Sequence, residues 1–339
     1  MSVSTAYLSA SEAAARLGVS AKALRLYERR ALLEPLRTAA GWRAYGPDQM
    51  IRAGEIAGLR SLGLSLAEVG RVLGGEAIGL GTALGAHEAA MAARRRELDA
   101  LIARIREVRA GLAAGRIPTP RELAGLARPA RPGLSLELPW PWNGERFELS
   151  AMRSLTWIVG SLGSGKTRLA MRMAEAARGG VFLGLDRLSE GEAAVQARFA
   201  ADPELEAAVG AALAWLVDEG ASASEALTGL IAAIEAKGPD LLVIDMVEEG
   251  LNEASQEALA AWLRRRGPDR APLALMTRSS SMLDLAAVGP DEAIIHCPAN
   301  HSLPMLVEPA PGTPGYEALR LCLATPDVRA RVAMRPHVA

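Results

Sequence analysis

Apolar and polar positions alternate along this 339-residue chain in three different rhythms. The first belongs to helices. "SASEAAARLGVSAKALRLYERRALL" reads as two short helices around a tight turn, with Ala13, Ala14 and Leu17 giving the first an apolar face and Gly18 ending it. Ser20 is a natural N-cap for the second, which runs to about Arg30 with Leu24 inward and Arg25, Arg29 and Arg30 outward. The turn-rich "PLRTAAGWRAYGPDQM" then predicts a hairpin carrying Arg37, Trp42, Arg43 and Tyr45, followed by a helix capped near Asp48.

The second rhythm is a seam. Met91, Leu98, Leu101, Ile105, Val108 and Leu112 recur at alternating three- and four-residue steps, with Arg and Glu outside them, which predicts a coiled-coil helix. Residues 114–139, rich in Pro, Gly and Arg, read as a semi-stiff linker. The third rhythm is that of buried strands: "SLTWIVG", "DLLVIDM" and "APLALMT" are short apolar runs separated by helical stretches, the alternation of an α/β sheet.

One strand end carries chemistry. "SLTWIVG" leads into Gly160, Ser161, Gly163, Ser164 and Gly165, then into a helix beginning Lys166–Thr167, the strand–loop–helix context that a G-x-x-x-x-G-K-[ST] match requires. Such a loop turns backbone N–H groups and a helix N-terminus toward phosphate oxygens. Lys166 is expected on the β- and γ-phosphates of ATP, and Thr167 on Mg²⁺. Asp245, ending "DLLVIDM", is expected to hold the same Mg²⁺ directly or through water.

Charge divides the chain. Residues 1–133 hold 20 Lys/Arg against 12 Asp/Glu, and residues 134–339 hold 18 against 27, so the front half suits a polyanion and the back half does not. Only three of the 38 basic residues are lysines: Lys22, Lys166 and Lys237. A compact ammonium fits between phosphates where a guanidinium fits poorly, so a lysine at 166 strengthens the phosphate reading. The two cysteines, Cys297 and Cys322, form neither a metal spacing nor a disulfide framework. The cluster His296, Cys297, His301 lacks a fourth ligand, and the run Arg264–Arg266 suits a helix C-terminus. No apolar run approaches the roughly 18 residues of a membrane span, and the expected location is the cytoplasm.

Residues 8–75 resemble the N-terminal domain of MerR-family transcription regulators, through "ARLGVSAKALRLYERRALLEPLRTAAGWRAYG" and "LRSLGLSLAEVGRVL". The resemblance implies a winged helix-turn-helix whose Ser20, Arg25, Tyr27, Arg37, Arg43 and Tyr45 meet double-stranded promoter DNA. It also implies a homodimer through residues 86–113, and RNA polymerase as a further partner. Tyr27 has an equal reading as core, and Trp42 reads as core. The cysteines by which metal-sensing relatives bind their effector are missing near the end of the seam, so the signal is expected elsewhere.

The region 140–300 is similar to ABC ATPases. "LLVIDMVEEGLNEASQEAL" parallels their strand, acidic pair and D-loop, Ser222 lies near the signature serine, and Trp142 stands where an aromatic could stack on adenine. Met246 occupies the position of the catalytic glutamate, Arg278 that of the switch histidine, and the signature glycines are missing. Glu248 or Glu249 is the remaining candidate to orient water, while Gln196 reads as a surface residue. The expected organisation is multidomain: an all-α winged helix-turn-helix (1–76), a dimerisation coiled-coil helix (77–113), a linker (114–139) and an α/β P-loop NTPase-like domain (140–339). Its expected work is nucleotide-responsive regulation with slow or absent hydrolysis. The alternatives are an active ATPase or small-molecule kinase tethered to DNA, or a nucleotide held for structure alone.

Overall fold

The computed structural model describes residues 7–333 apart from 39, 78, 119–122, 124–132, 150, 190 and 267–269. Much of the expected linker therefore lies outside the described residues.

Helix α1 (Ala10–Leu17) opens with a reciprocal cap: the Ser9 hydroxyl accepts from the Glu12 N–H, and the Glu12 carboxylate accepts from the Ser9 N–H. Gly18, at φ 66°, ends it in the left-handed conformation that glycine adopts without steric cost. Helix α2 (Ala21–Arg29) is capped by Ser20, whose Oγ accepts from the Ala23 N–H at 3.1 Å. Strands β1 (Leu36–Arg37) and β2 (Arg43–Ala44) form a short antiparallel hairpin. Helix α3 (Pro47–Ser61) starts on Pro47, with Asp48 in its first turn, and α4 (Leu66–Leu73) starts from Ser65. Leu24, Tyr27, Tyr45, Ile56, Leu64 and Val69 form the core of this unit. Helix α5 (Leu80–Ala113) then runs for 34 residues.

The back domain opens with the hairpin β3 (Leu134–Glu137) and β4 (Arg146–Leu149), so it takes in the end of the expected 114–139 linker, whose Leu134, Leu136 and Leu138 are buried in its core. The chain continues through β5 (Leu155–Gly160), α6 (Lys166–Ala176) and β6 (Gly180–Leu183), then a 3₁₀ turn at Leu185–Ser189. Helices α7 (Glu192–Ala201), α8 (Pro203–Glu219) and α9 (Glu225–Glu235) precede β7 (Leu241–Ile244), α10 (Glu253–Arg265) and β8 (Leu273–Met276). Strands β9 (Glu292–Cys297) and β10 (Met305–Leu306) and helices α11 (Tyr316–Cys322) and α12 (Pro326–Ala333) complete it.

The sheet order is β10-β9-β5-β8-β7-β6, parallel except for β10. Strands β5, β7 and β8 are buried at every residue, because both faces of the sheet are covered. Period-two alternation sends Trp157, Ile244 and Leu275 into a core shared with α7–α10. Ile158, Val243 and Met276 go to the other face, against α6 and the β3–β4 hairpin. The loop after β5 therefore leaves the carboxyl edge of the sheet between two neighbours, where α/β folds place ligands.

The two units touch. The Trp215 indole N–H on α8 donates to the Gly63 carbonyl at 3.3 Å, with the guanidinium of Arg265 4.7 Å from the ring centroid. Glu219, at the end of α8, accepts from the Leu66 N–H at 2.9 Å and pairs with Arg60 at 2.6 Å. Burial pushes its carboxyl above the usual range, opposed chiefly by Arg60. Among the described residues no helix is long and apolar enough to cross a membrane.

Candidate functional site

Three positions in the glycine loop call for glycine. A Cβ on Gly160 would run into the Cys297 carbonyl and the Ser164 hydroxyl. At Gly165, φ is 89° and a Cβ would come within 2.5 Å of Trp142 Cη2. Gly163 faces open space but takes a φ of 79°, a left-handed conformation that strains any side chain. The loop then turns directly into α6, so Lys166 and Thr167 stand at a helix N-terminus, Lys166 buried and Thr167 exposed.

The site is polar and incompletely satisfied. The hydroxyls of Ser161 and Ser164 and one oxygen of Asp245, Oδ1, are buried with no hydrogen-bond partner. Lys166 donates back to the Ser161 carbonyl of its own loop at 2.6 Å. Burial lowers the Lys166 ammonium below the usual lysine range, the nearby Cys297, Cys322 and Asp245 opposing it and Arg278 assisting. Burial likewise raises Asp245, against the pull of Arg187 and Lys166. Lysine and aspartate thus lie close enough for each to shift the other, both partly stripped of water. An anion with a divalent cation would supply what both lack, so these residues fit a Mg–triphosphate.

Sequence reading missed Arg187 and Arg329 in this region. Arg187, from the 3₁₀ turn, clasps the end of β7 by donating to the carbonyls of Asp245 and Met246, both at 2.7 Å. Met246 itself takes a left-handed φ of 42°, so the chain bends sharply where Asp245 leaves the sheet. Arg329, on α12, lies 2.8 Å from Glu248 and 3.2 Å from Glu249 across a cleft also lined by Gly160 and Ser161. Trp140 is exposed, with Arg168 stacked 4.4 Å from its ring centroid. Arg187 has no motif to announce it, and Arg329 comes from a segment in which sequence reading finds no signal.

Several expectations need correction. Trp142 is not open to adenine: only 2 % exposed, it packs under Gly165 and donates its indole N–H to the Ser302 carbonyl at 3.1 Å. Glu248 is 1 % exposed, and its Oε1 accepts from the Arg278 N–H at 3.0 Å and from Arg329 at 2.8 Å, while its Oε2 is buried with no hydrogen-bond partner. Glu249 lines the same cleft and is exposed. Tyr27 and Tyr45 are buried in the helix-turn-helix core, and the Tyr45 hydroxyl donates to Glu28 at 2.7 Å, so neither ring grips a phosphate. Trp42 is 76 % exposed at the hairpin tip instead of in the core. Arg43 also pairs with Glu28 at 2.7 Å, while Arg25 and Arg37 are exposed. The Ser20 hydroxyl is occupied as the α2 cap.

The remaining candidates lie as follows. Ser222 accepts from the Asn252 side chain at 2.9 Å, and Gln196 is exposed. His296 is buried 4.0 Å from Cys322 Sγ, His301 is exposed, and among the described residues no His/Cys/Asp/Glu group gathers to hold a metal. Of the apolar seam of α5, Met91, Leu98, Ile105 and Leu112 are exposed and Leu101 and Val108 half-buried.

Residues 8–76 match the family model for MerR HTH family regulatory proteins. One similar solved structure is HiNmlR, a MerR family regulator lacking the sensor domain, bound to promoter DNA. It is 23 % identical, covers 33 % of this chain and 92 % of its own, and has a TM-score of 0.28. A MerR-family transcriptional regulator from Bacillus cereus is 21 % identical over 36 % of this chain and 95 % of its own, with a TM-score of 0.26. An ATP-binding cassette of an ABC transporter in its ADP conformation covers 60 % of this chain and 98 % of its own at 12 % identity and a TM-score of 0.36. No curated protein matches the sequence.

Proposed function

We propose, from the premise that residues 8–76 form a MerR-family helix-turn-helix domain, that the chain is a dimeric, sequence-specific regulator of promoter DNA whose activity is set by ATP and Mg²⁺ in the back domain. The observation that carries the nucleotide half is the gathering of unpartnered buried oxygens on Ser161, Ser164 and Asp245 beside a desolvated Lys166. Lys166 and the loop N–H groups bind and orient the phosphates, and Thr167 and Asp245 hold the cation. When bound, Mg²⁺ polarises the terminal phosphoryl group and neutralises its charge.

Hydrolysis is slow or absent in this reading. Met246 can neither accept a proton nor orient water, and the Glu248 carboxylate is held by an ion pair from Arg329 to its Oε1. Nucleotide is therefore a bound signal rather than a consumed substrate. On the DNA side, the basic front half and the outward cations of α2 supply phosphate and base contacts, and α5 pairs two chains across its open seam.

Calorimetry of the full chain with Mg–ATP and Mg–ADP tests this. Binding is expected, and Lys166→Ala is expected to weaken it at least about tenfold, the worth of a charge-assisted hydrogen bond. Absence of heat with either nucleotide sinks the nucleotide half.

A further inference from the structure

The surface of α2 opposite its buried Leu24 and Tyr27 is a line of cations: Lys22, Arg25 and Arg29. Steps of three and four residues align them on one face. This is the face that a helix-turn-helix presents to a groove. In the structure it is turned toward the protein's own back domain.

Glu257 of α10 holds two of the three. Its Oε1 lies 3.2 Å from Lys22 Nζ and its Oε2 2.5 Å from Arg29 Nη2, and the carboxylate is nearly buried between them. Lys22 also donates to the Ser280 carbonyl at 3.2 Å. Glu253 and Asp284 line the same cleft, opposite Arg25. At the end of α2, Arg30 donates to the Glu219 carbonyl at 2.7 Å and fills the space that a Cβ on Gly220 would need.

A carboxylate bridging two cations at these distances offers what a DNA phosphate offers, and the same cations cannot serve both. We propose that Glu257 is an intramolecular substitute for DNA phosphate, so that the docked arrangement is an autoinhibited state and α2 must leave α10 before it can enter a major groove. The inference rests on the DNA-binding reading above and adds how that surface is regulated. Both anchors extend from the nucleotide cavity: α10 begins just after the 245–251 segment, and Ser280 lies two residues beyond Arg278, whose N–H is bound to Glu248.

The test is fluorescence anisotropy of the full chain with a labelled mixed-sequence duplex at low salt, where phosphate contacts dominate binding. Glu257→Gln removes the substitute phosphate, and Glu219→Gln loosens the same docking at a separate contact. Glu206→Gln removes an equal charge from an exposed site away from the front domain. About a tenfold gain in affinity for the first two variants, with little change for the third, is the expected result. An equal gain in all three means general electrostatics, and no gain over a wild type that binds means no latch; either overturns the proposal. If neither wild type nor any variant binds duplex, the DNA-binding reading itself fails and the latch falls with it.

Discussion

Lys166 and Asp245 are paired by their shifts as well as by their place. Burial makes the ammonium easier to deprotonate and the carboxylate easier to protonate. As pH rises, Lys166 loses its charge before an ordinary lysine would; as pH falls, Asp245 loses its charge before an ordinary aspartate would. Mg–nucleotide affinity should therefore decline at both ends of a window narrower than the reference pKa values give. Calorimetry between about pH 5 and about pH 10 measures it, and a flat affinity would refute it. This part of the site is legible in sequence because its glycines, lysine and threonine are adjacent and its aspartate ends a recognisable strand. The aromatic residues are less legible. Trp42 and Tyr45 lie three residues apart in one hairpin, yet the first is exposed and the second buried, because Tyr45 pairs its backbone with Leu8 and its hydroxyl bonds Glu28. Local spacing carries no record of that partner.

At the scale of elements, α5 was readable from its period alone, since a seam is a local property of one helix. Its exposed Leu98 and Ile105 have no counterpart within the described chain that covers them. The double substitution Leu98→Glu and Ile105→Glu should convert a dimer to a monomer in sedimentation equilibrium while leaving the helical circular dichroism of the other domains intact. A dimer that survives both changes would place the interface elsewhere. The α2–α10 contact is the opposite case: Arg29 and Glu257 are 228 positions apart, and each alone is an unremarkable charge on a helix. Complementarity of that kind emerges only when two surfaces are placed face to face.

For the whole molecule, the docked domains put the glycine loop and helix α2 on one connected body. If nucleotide changes DNA affinity by some factor, DNA must change nucleotide affinity by the same factor. Measuring Mg–ATP binding with and without saturating duplex should give the same ratio as measuring duplex binding with and without Mg–ATP. Equal affinities throughout would separate the two functions. The sequence displayed both modules, through their motifs and their opposite charge, but not their contact.

The ion pair between Arg329 and the buried Glu248 has a practical meaning for anyone shortening this polypeptide. Trimming at residue 325, or replacing the single guanidinium by Arg329→Ala, strands a desolvated carboxylate and should cost up to about 3 kcal/mol of stability, visible as a lower melting temperature. Helix α12 is thus a fastener on the wall of the cleft beside the glycine loop, and a tail cut for convenience would come at the expense of that wall.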